Sequence, residues 1–192
     1  MNKIAYALIL ATLVSLPAQA EWVLNGDQSA LSFVSTKAIN VAEVHKFAEL
    51  SGGVGADGMV RISIDLASVD TSIELRDERM REMLFNTAEH STAEISAQVD
   101  AAELADLSAG QSVDMMVEGV LTLHGETRPL LMSVVVARSG DSNLLVMSKK
   151  PVVVNAPEFK LAEGVEALRE IAGLPSISLA VPVSFVLAFD QG

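Results

Sequence analysis

The stretch SVDMMVEGVLTLHGETRPLLMSVVVAR, residues 112–138, constrains the fold more than any other part of the chain. Two runs of alternating apolar and polar residues flank a His124-Gly125 turn. Successive side chains of a strand point to opposite faces. On the first run Val113, Met115, Val117, Leu121 and Leu123 therefore share one face, and Ser112, Asp114, Glu118 and Thr122 share the other. Leu130, Met132, Val134 and Val136 line up the same way on the second run. That pattern marks an antiparallel sheet protein.

Other strand-like segments recur at short intervals between turn signals, which favours an all-β sandwich or barrel over alternating β and α units. Residues 31–37 alternate around Leu31, Phe33 and Ser35, and a polar connection then leads to a strand at 47–53. A glycine-rich stretch at 52–58 reads as a hairpin connection, because it opens another strand and not a helix. The strand at 59–66 sets Val60, Ile62, Ile64 and Leu66 against Arg61, Ser63 and Asp65. That at 93–99 sets Ala93, Ile95, Ala97 and Val99 against polar neighbours. One or two strands follow at 143–154, and a last one at 177–189 carries Leu179, Val181, Val183, Phe185, Leu187 and Phe189 on one face. About eight strands result, a number that closes into an antiparallel up-and-down barrel without exposed edges.

Two segments have a helical period instead. Thr71 and Glu74 have capping-box spacing, which predicts a helix to about Phe85 with Ile73, Met80, Met83 and Leu84 on one stripe and an ion pair between Asp77 and Arg81. A second amphipathic helix is expected at 163–172, ended by Gly173. Two such helices, and the lack of aromatic girdles, argue against an outer-membrane barrel.

Residues 1–20 read as a secretory signal: Lys3, an apolar run at 4–16, then Ala18-Gln19-Ala20 as an A-x-A cleavage site. The apolar run is shorter than the roughly 20 residues a membrane-spanning helix needs. Cleavage after Ala20 is expected, leaving a single exported, periplasmic domain at 21–192 that carries no transmembrane segment. The chain has no cysteine, so an oxidising compartment is not used for disulfides. A net charge of -12 argues against nucleic acid and anionic membrane surfaces as partners.

The search for chemistry is mostly negative. His45, His90 and His124 lack metal-ligand spacing, so no metal site is expected. No serine lies in a nucleophile elbow, so no catalytic residue is assigned. Arg76 and Arg79, in the densest charged segment, either face solvent or stand near a barrel mouth where they would meet a ligand head group. The interior of an eight-stranded barrel is either filled by its own side chains or holds one small ligand.

Taken together, the segments WVLNGDQSALSF (22–33), IDLASVDT (64–71) with Arg76-Asp77 and Met83-Leu84-Phe85-Asn86, and VEGVLTLHGETRPL (117–130) make the chain resemble the YceI-like family of exported, lipocalin-like polyisoprenoid-binding proteins. The chain departs from that pattern at Gln28, where a histidine is usual, at Phe85-Asn86, and at His45-Lys46-Phe47. These departures touch ligand identity more than fold. The resemblance implies a lipocalin-like barrel around an elongated apolar cavity for a polyisoprenoid, an isoprenoid quinone or a similar long-chain lipid. It brings no catalytic residues and no obligatory cofactor.

The expected function is therefore that of a binding or carrier protein for an amphiphilic lipid. The expected lining is drawn from Phe33, Phe47, Ile62, Ile64, Ile95, Met115, Val117, Leu121, Val134, Phe185 and Leu187, with Met80 and Met83 covering one end. Two alternatives stand beside it: a hydrolase acting on lipid-linked substrates, and a stress-response interaction module with a packed barrel. A homodimer through an exposed strand or helix face is compatible with all three.

Overall fold

The computed structural model describes residues 20–192. The expected leader, apart from Ala20, lies outside the described residues. Eleven strands form one antiparallel sheet: β1 (Ala20–Lys37), β2 (Val41–Phe47), β3 (Leu50–Gly55), β4 (Met59–Asp65), β5 (Val69–Asp70), β6 (Thr92–Gln98), β7 (Ser112–Leu123), β8 (Glu126–Gly140), β9 (Asn143–Ser148), β10 (Val152–Asn155) and β11 (Ala180–Gln191). β2 and β3 run along the two halves of β1, and β9 and β10 along the two halves of β11. Each pair acts as one broken stave. Pairing of β11 with β1 closes the wall into an eight-stave barrel.

The β7–β8 hairpin forms in the register its alternation dictates, with Met115 opposite Val134 and Val117 opposite Met132. His124 and Gly125 both adopt positive φ at its turn, 50° and 77°, the backbone that tight two-residue hairpins require. Leu121, Leu123, Met132, Val134 and Val136 are buried inside. Met116 and Leu131, on the alternate face, are more than half exposed.

β1 starts earlier than its alternation suggests because a bulge interrupts it. Between Asn25 and Ala30 the pairing with β11 slips, and local hydrogen bonds hold the extra residues. Ser29 Oγ donates to the Asn25 carbonyl at 2.7 Å and accepts from the Ala188 N–H at 3.0 Å. Such a bulge bends a strand sharply, which lets one long strand serve two partners. β2 is the expected polar connection turned into wall. Gly52 and Gly53 belong to β3, and the connection to β4 is the turn at 56–58. At Gly52 (φ 136°) a side chain would stand 2.1 Å from the Arg61 carbonyl oxygen.

The first helix ends where predicted but changes type on the way. α1 (Glu74–Arg79) runs into one π-helical turn (Met80–Leu84), closed by the Phe85 N–H donating to the Met80 carbonyl at 2.9 Å. The capping box does not form. The Thr71 hydroxyl donates to Asp77 Oδ1, the Thr71 N–H donates to the same oxygen at 2.9 Å, and Ile73 takes the N-cap position without a side-chain cap. Asp77 is thereby buried and unavailable to Arg81, which pairs with Glu74. Two further helices are α2 (Ala101–Ala105), too short to carry a readable period, and α3 (Ala162–Ile171). At Gly164 a Cβ would stand 2.8 Å from the Met83 carbonyl oxygen, so the absent side chain lets α3 lie directly on the π turn.

Candidate functional site: an apolar tunnel in the barrel

The inward faces of the staves do not fill the barrel. An upper chamber of ≈ 150 Å³ lies beneath the π turn and α3, and a lower one of ≈ 90 Å³ lies toward α2. The lining side chains of both are apolar. Leu31, Ile95, Met132 and Phe185 border both chambers and form the waist between them. At about 24 cal/mol per Å³ of void, these spaces forgo on the order of 6 kcal/mol of packing together. That is a large fraction of the roughly 5–15 kcal/mol that holds a domain folded.

Phe33, Phe47, Ile64, Met80 and Leu121 line the upper chamber, and Ile62, Met115, Val117, Val134 and Leu187 the lower. Ile95 and Phe185 stand at the waist. Met83 belongs to neither: it is 38% exposed on the flank of the π turn, and Leu84 and Phe85 take the inward positions beside Met80. Residues outside the expected lining also border the upper chamber, among them Leu161 beside α3 and Val165 on the inward face of that helix. Small side chains keep the lower chamber open. Ala97 on β6 pairs with Gly119 on β7, so one methyl group is all that this rung projects inward.

The lower end is stoppered. Leu104 of α2 and Leu107 are buried there, and the Arg138 guanidinium donates to the Ala105 and Leu107 carbonyls while lying 5.5 Å from the Trp22 ring. The upper end is covered by the π turn and α3, through Met80, Leu84, Leu161 and Val165 and the close Gly164 contact.

Beside the upper chamber, β2 turns a polar face inward. Glu43, His45 and Phe47 project from alternate positions, opposite Ser35, Phe33 and Leu31 on β1. Glu43 accepts from Lys37 Nζ at 2.8 Å and from Arg76 Nη1 at 2.7 Å. Lys37 and then Arg76 hold its carboxyl below the usual carboxylate range. Arg76 also donates from Nε to Thr71 Oγ1 and from Nη2 to the Thr71 carbonyl. Three of its five N–H donors are thus taken up within the protein. Arg79 is half-buried on α1 and forms no hydrogen bond or ion pair among the described residues.

His45 is buried, with its ring 5.3 Å from that of Phe33. Burial, followed by repulsion from Arg76, pushes its pKa down, so the imidazole is neutral near pH 7. Nε2 lies 2.9 Å from Ser35 Oγ. Nδ1 is the one buried side-chain nitrogen or oxygen among the described residues without a hydrogen-bond partner. The other two histidines come together: His90 and His124 have ring centroids 4.4 Å apart, and His124 Nδ1 lies 3.2 Å from the Phe159 carbonyl oxygen. Among the described residues no group of three or more His, Cys, Asp or Glu is placed to hold a metal ion. No helix among them is long and apolar enough to cross a membrane.

Solved structures share this architecture. A polyisoprenoid binding domain from Saccharophagus degradans, implicated in plant cell wall breakdown, is 37% identical over 91% of this chain and 100% of its own, with a TM-score of 0.89. BcnA of Burkholderia cenocepacia has the same fold at 21% identity, covering 86% of this chain and 98% of its own, with a TM-score of 0.67. The Campylobacter jejuni YceI protein shares the fold at 9% identity, over 98% of this chain and 94% of its own, with a TM-score of 0.54. No curated protein sequence matches the chain. The YceI-like domain profile matches residues 22–189, and with the closed barrel and its apolar tunnel this makes the chain a member of the YceI-like family.

Proposed function

We propose that this protein is an exported carrier that holds the apolar chain of an isoprenoid, or of a comparable long-chain amphiphile, inside its barrel. The observation that carries the reading is the pair of adjoining chambers with wholly apolar side-chain linings. Dry voids of this size accept apolar guests. Each buried methylene contributes roughly 0.8 kcal/mol, so about ten carbons supply about 8 kcal/mol before ordering costs. Affinity of that kind needs no catalytic group. The polyisoprenoid binding of the Saccharophagus degradans domain supports the same ligand class.

The stoppered lower end makes the upper end the entrance, with the π turn and α3 as the parts that part to admit a chain. Export follows from the leader at 1–20, with a mature protein beginning at Glu21 in the periplasm. A hydrolytic reading has one observation behind it, the Ser35–His45 contact. In such a pair the second imidazole nitrogen is oriented by a carboxylate. Here Nδ1 has no partner, and Glu43 lies 3.9 Å away on the Nε2 side, so the geometry favours binding.

The test is organic extraction of protein purified from the periplasm, followed by mass spectrometry. A stoichiometric long-chain lipid, together with an N-terminus at Glu21, is expected. A protein that is lipid-free and takes up no isoprenoid from vesicles would overturn the proposal.

A further inference from the structure

We propose that the upper end of the barrel is a membrane-docking face: exposed apolar side chains beside the entrance enter a zwitterionic bilayer, and the carboxylates around them meet the ammonium groups of its headgroups. This rests on the carrier reading above and names the surface from which such a carrier loads.

The two ends of the barrel differ. At the upper end Ile39 of the β1–β2 turn, Ile73 and Leu75 at the start of α1, Met83 on the π turn, Ile171 at the end of α3 and Leu179 before β11 are all exposed. The connections that close the lower end, 56–58, 99–111 and 141–142, expose no large apolar side chain among the described residues, since Leu104 and Leu107 turn inward. Scattered exposed apolar residues are ordinary, and the wall has some, Met116 and Leu131 among them. A cluster rimmed by charge at one end marks a contact surface.

The cluster sits at the entrance. Leu75, Arg79 and Met83 follow at every fourth position, which puts them on one flank of α1 and the π turn. α3 meets the π turn at Gly164, against the Met83 carbonyl and Leu84, and Ile171 stands two turns further along the same side of α3. The chain after α3 returns to the β1–β2 turn, where the Ala38 N–H donates to the Ser176 carbonyl at 2.9 Å. The start of α1 is tied to β2 by Arg76 and Glu43. The beginning of α1 and the end of α3 therefore stand over the same edge of the barrel, the side walled by Phe33 and Phe47. Leu75, Met83 and Ile171 flank the seam along which the π turn and α3 part.

Charge selects the kind of membrane. Glu78, Glu82 and Glu163 are exposed and form no hydrogen bond or ion pair among the described residues, whereas Arg81 and Arg169 are taken up by Glu74 and Glu166. An anionic surface is repelled by this set. In phosphatidylethanolamine the outermost group is an ammonium, which suits the carboxylates. The phosphate beneath it suits Arg79, set between Leu75 and Met83 on the same flank. Attachment of this kind scales with the apolar area that enters the interface.

Protein purified from the periplasm and stripped of lipid is floated with ligand-free vesicles of phosphatidylethanolamine and phosphatidylcholine. It is expected to float with them, and less so when phosphatidylglycerol replaces the ethanolamine lipid. Leu75→Glu and Ile171→Glu, both at exposed positions outside the chamber lining, should each weaken flotation about fivefold or more, the loss of about half a buried leucine's contribution. Leu131→Glu on the wall should leave it unchanged. In the wild type, a nitroxide on the lipid headgroup should broaden the methyl resonance of Met83 and spare that of Met116. Geranylgeraniol, a 20-carbon prenol, should load the wild type and all three variants alike when added from ethanol, and load the two variants of the docking face more slowly from vesicles.

Absent flotation, flotation that requires phosphatidylglycerol, or flotation lost in Leu131→Glu and kept in the other two variants would overturn the inference. So would a dimer in place of flotation that Leu75→Glu dissolves, which assigns the face to a second copy of the chain. In each of these cases uptake from ethanol leaves the carrier reading intact. Failure to take up the prenol by either route would instead refute the carrier reading, and flotation would still report on the face.

Discussion

Ala97→Leu tests whether the lower chamber is open space that a ligand uses. Ala97 faces Gly119 across the β6–β7 ladder and borders the ≈ 90 Å³ void. Leucine adds three carbons there, worth at most about 2.4 kcal/mol at about 0.8 kcal/mol each. Ordering the longer side chain returns about 0.5–1 kcal/mol, which leaves a gain of about 1–2 kcal/mol. For a domain of this size each kcal/mol moves Tm by roughly 2–4 °C, so calorimetry of the lipid-free protein should show a rise of a few degrees. The same substitution removes the room for the tail's end. Uptake of geranylgeraniol from vesicles should fall about tenfold or more, roughly the loss of two buried methylenes, while uptake of the ten-carbon geraniol should hardly change. A drop in Tm of several degrees would show that the chamber has no room to fill. A rise in Tm with undiminished geranylgeraniol uptake would show that the ligand does not use it.

Gly164→Ala places a methyl group against the backbone of the π turn. It should destabilise the protein by about 1–3 kcal/mol and speed lipid release, read in a stopped-flow transfer assay. Ile39 carries φ 72° at the β1–β2 turn and is 78% exposed, a backbone that costs a β-branched residue of order 1–3 kcal/mol. Ile39→Gly should therefore raise Tm by a few degrees, and an unchanged or lower Tm would deny the strain. The depressed pKa of His45 makes its neutral form the one the fold favours. Stability from this group is in place above the unfolded-state value near 6.5 and is lost as pH falls toward the lower folded value. Thermal melts between pH 7.5 and 5.5 should show a decline that His45→Phe flattens, and a variant with the wild-type slope would contradict this.

Legibility in the sequence followed local regularity. The β7–β8 hairpin was readable because one face of each long strand carries apolar residues at every second position over several turns of the pleat and the turn offers a glycine at positive φ. β2 was not, because its inward face carries Glu43 and His45 and its outward face carries the 71% exposed Val44, so the apolar pattern is inverted at the tunnel's edge. The first half of β1 was hidden by the bulge that Asn25 and Ser29 hold together. Much of the expected lining could be drawn up from faces alone, since an inward position on a barrel stave has one place to go. Met83 left that set because the π turn puts Leu84 and Phe85 inward beside Met80. The polar cluster needed the structure: His45 meets Ser35 across the β1–β2 hairpin and Arg76 from α1, a convergence set by where α1 packs on that hairpin.

The methionines give the most direct test of a lipid chain running through the barrel. With methyl-labelled methionine, Met80 reports on the upper chamber, Met132 on the waist and Met115 on the lower chamber, while Met83 and Met116 lie outside as internal references. On loading with geranylgeraniol, cross-relaxation from the ligand's branch methyls should reach Met80, Met132 and Met115 and spare Met83 and Met116. Contacts confined to Met83 or Met116, with the three interior methyls unchanged, would contradict a ligand inside the tunnel.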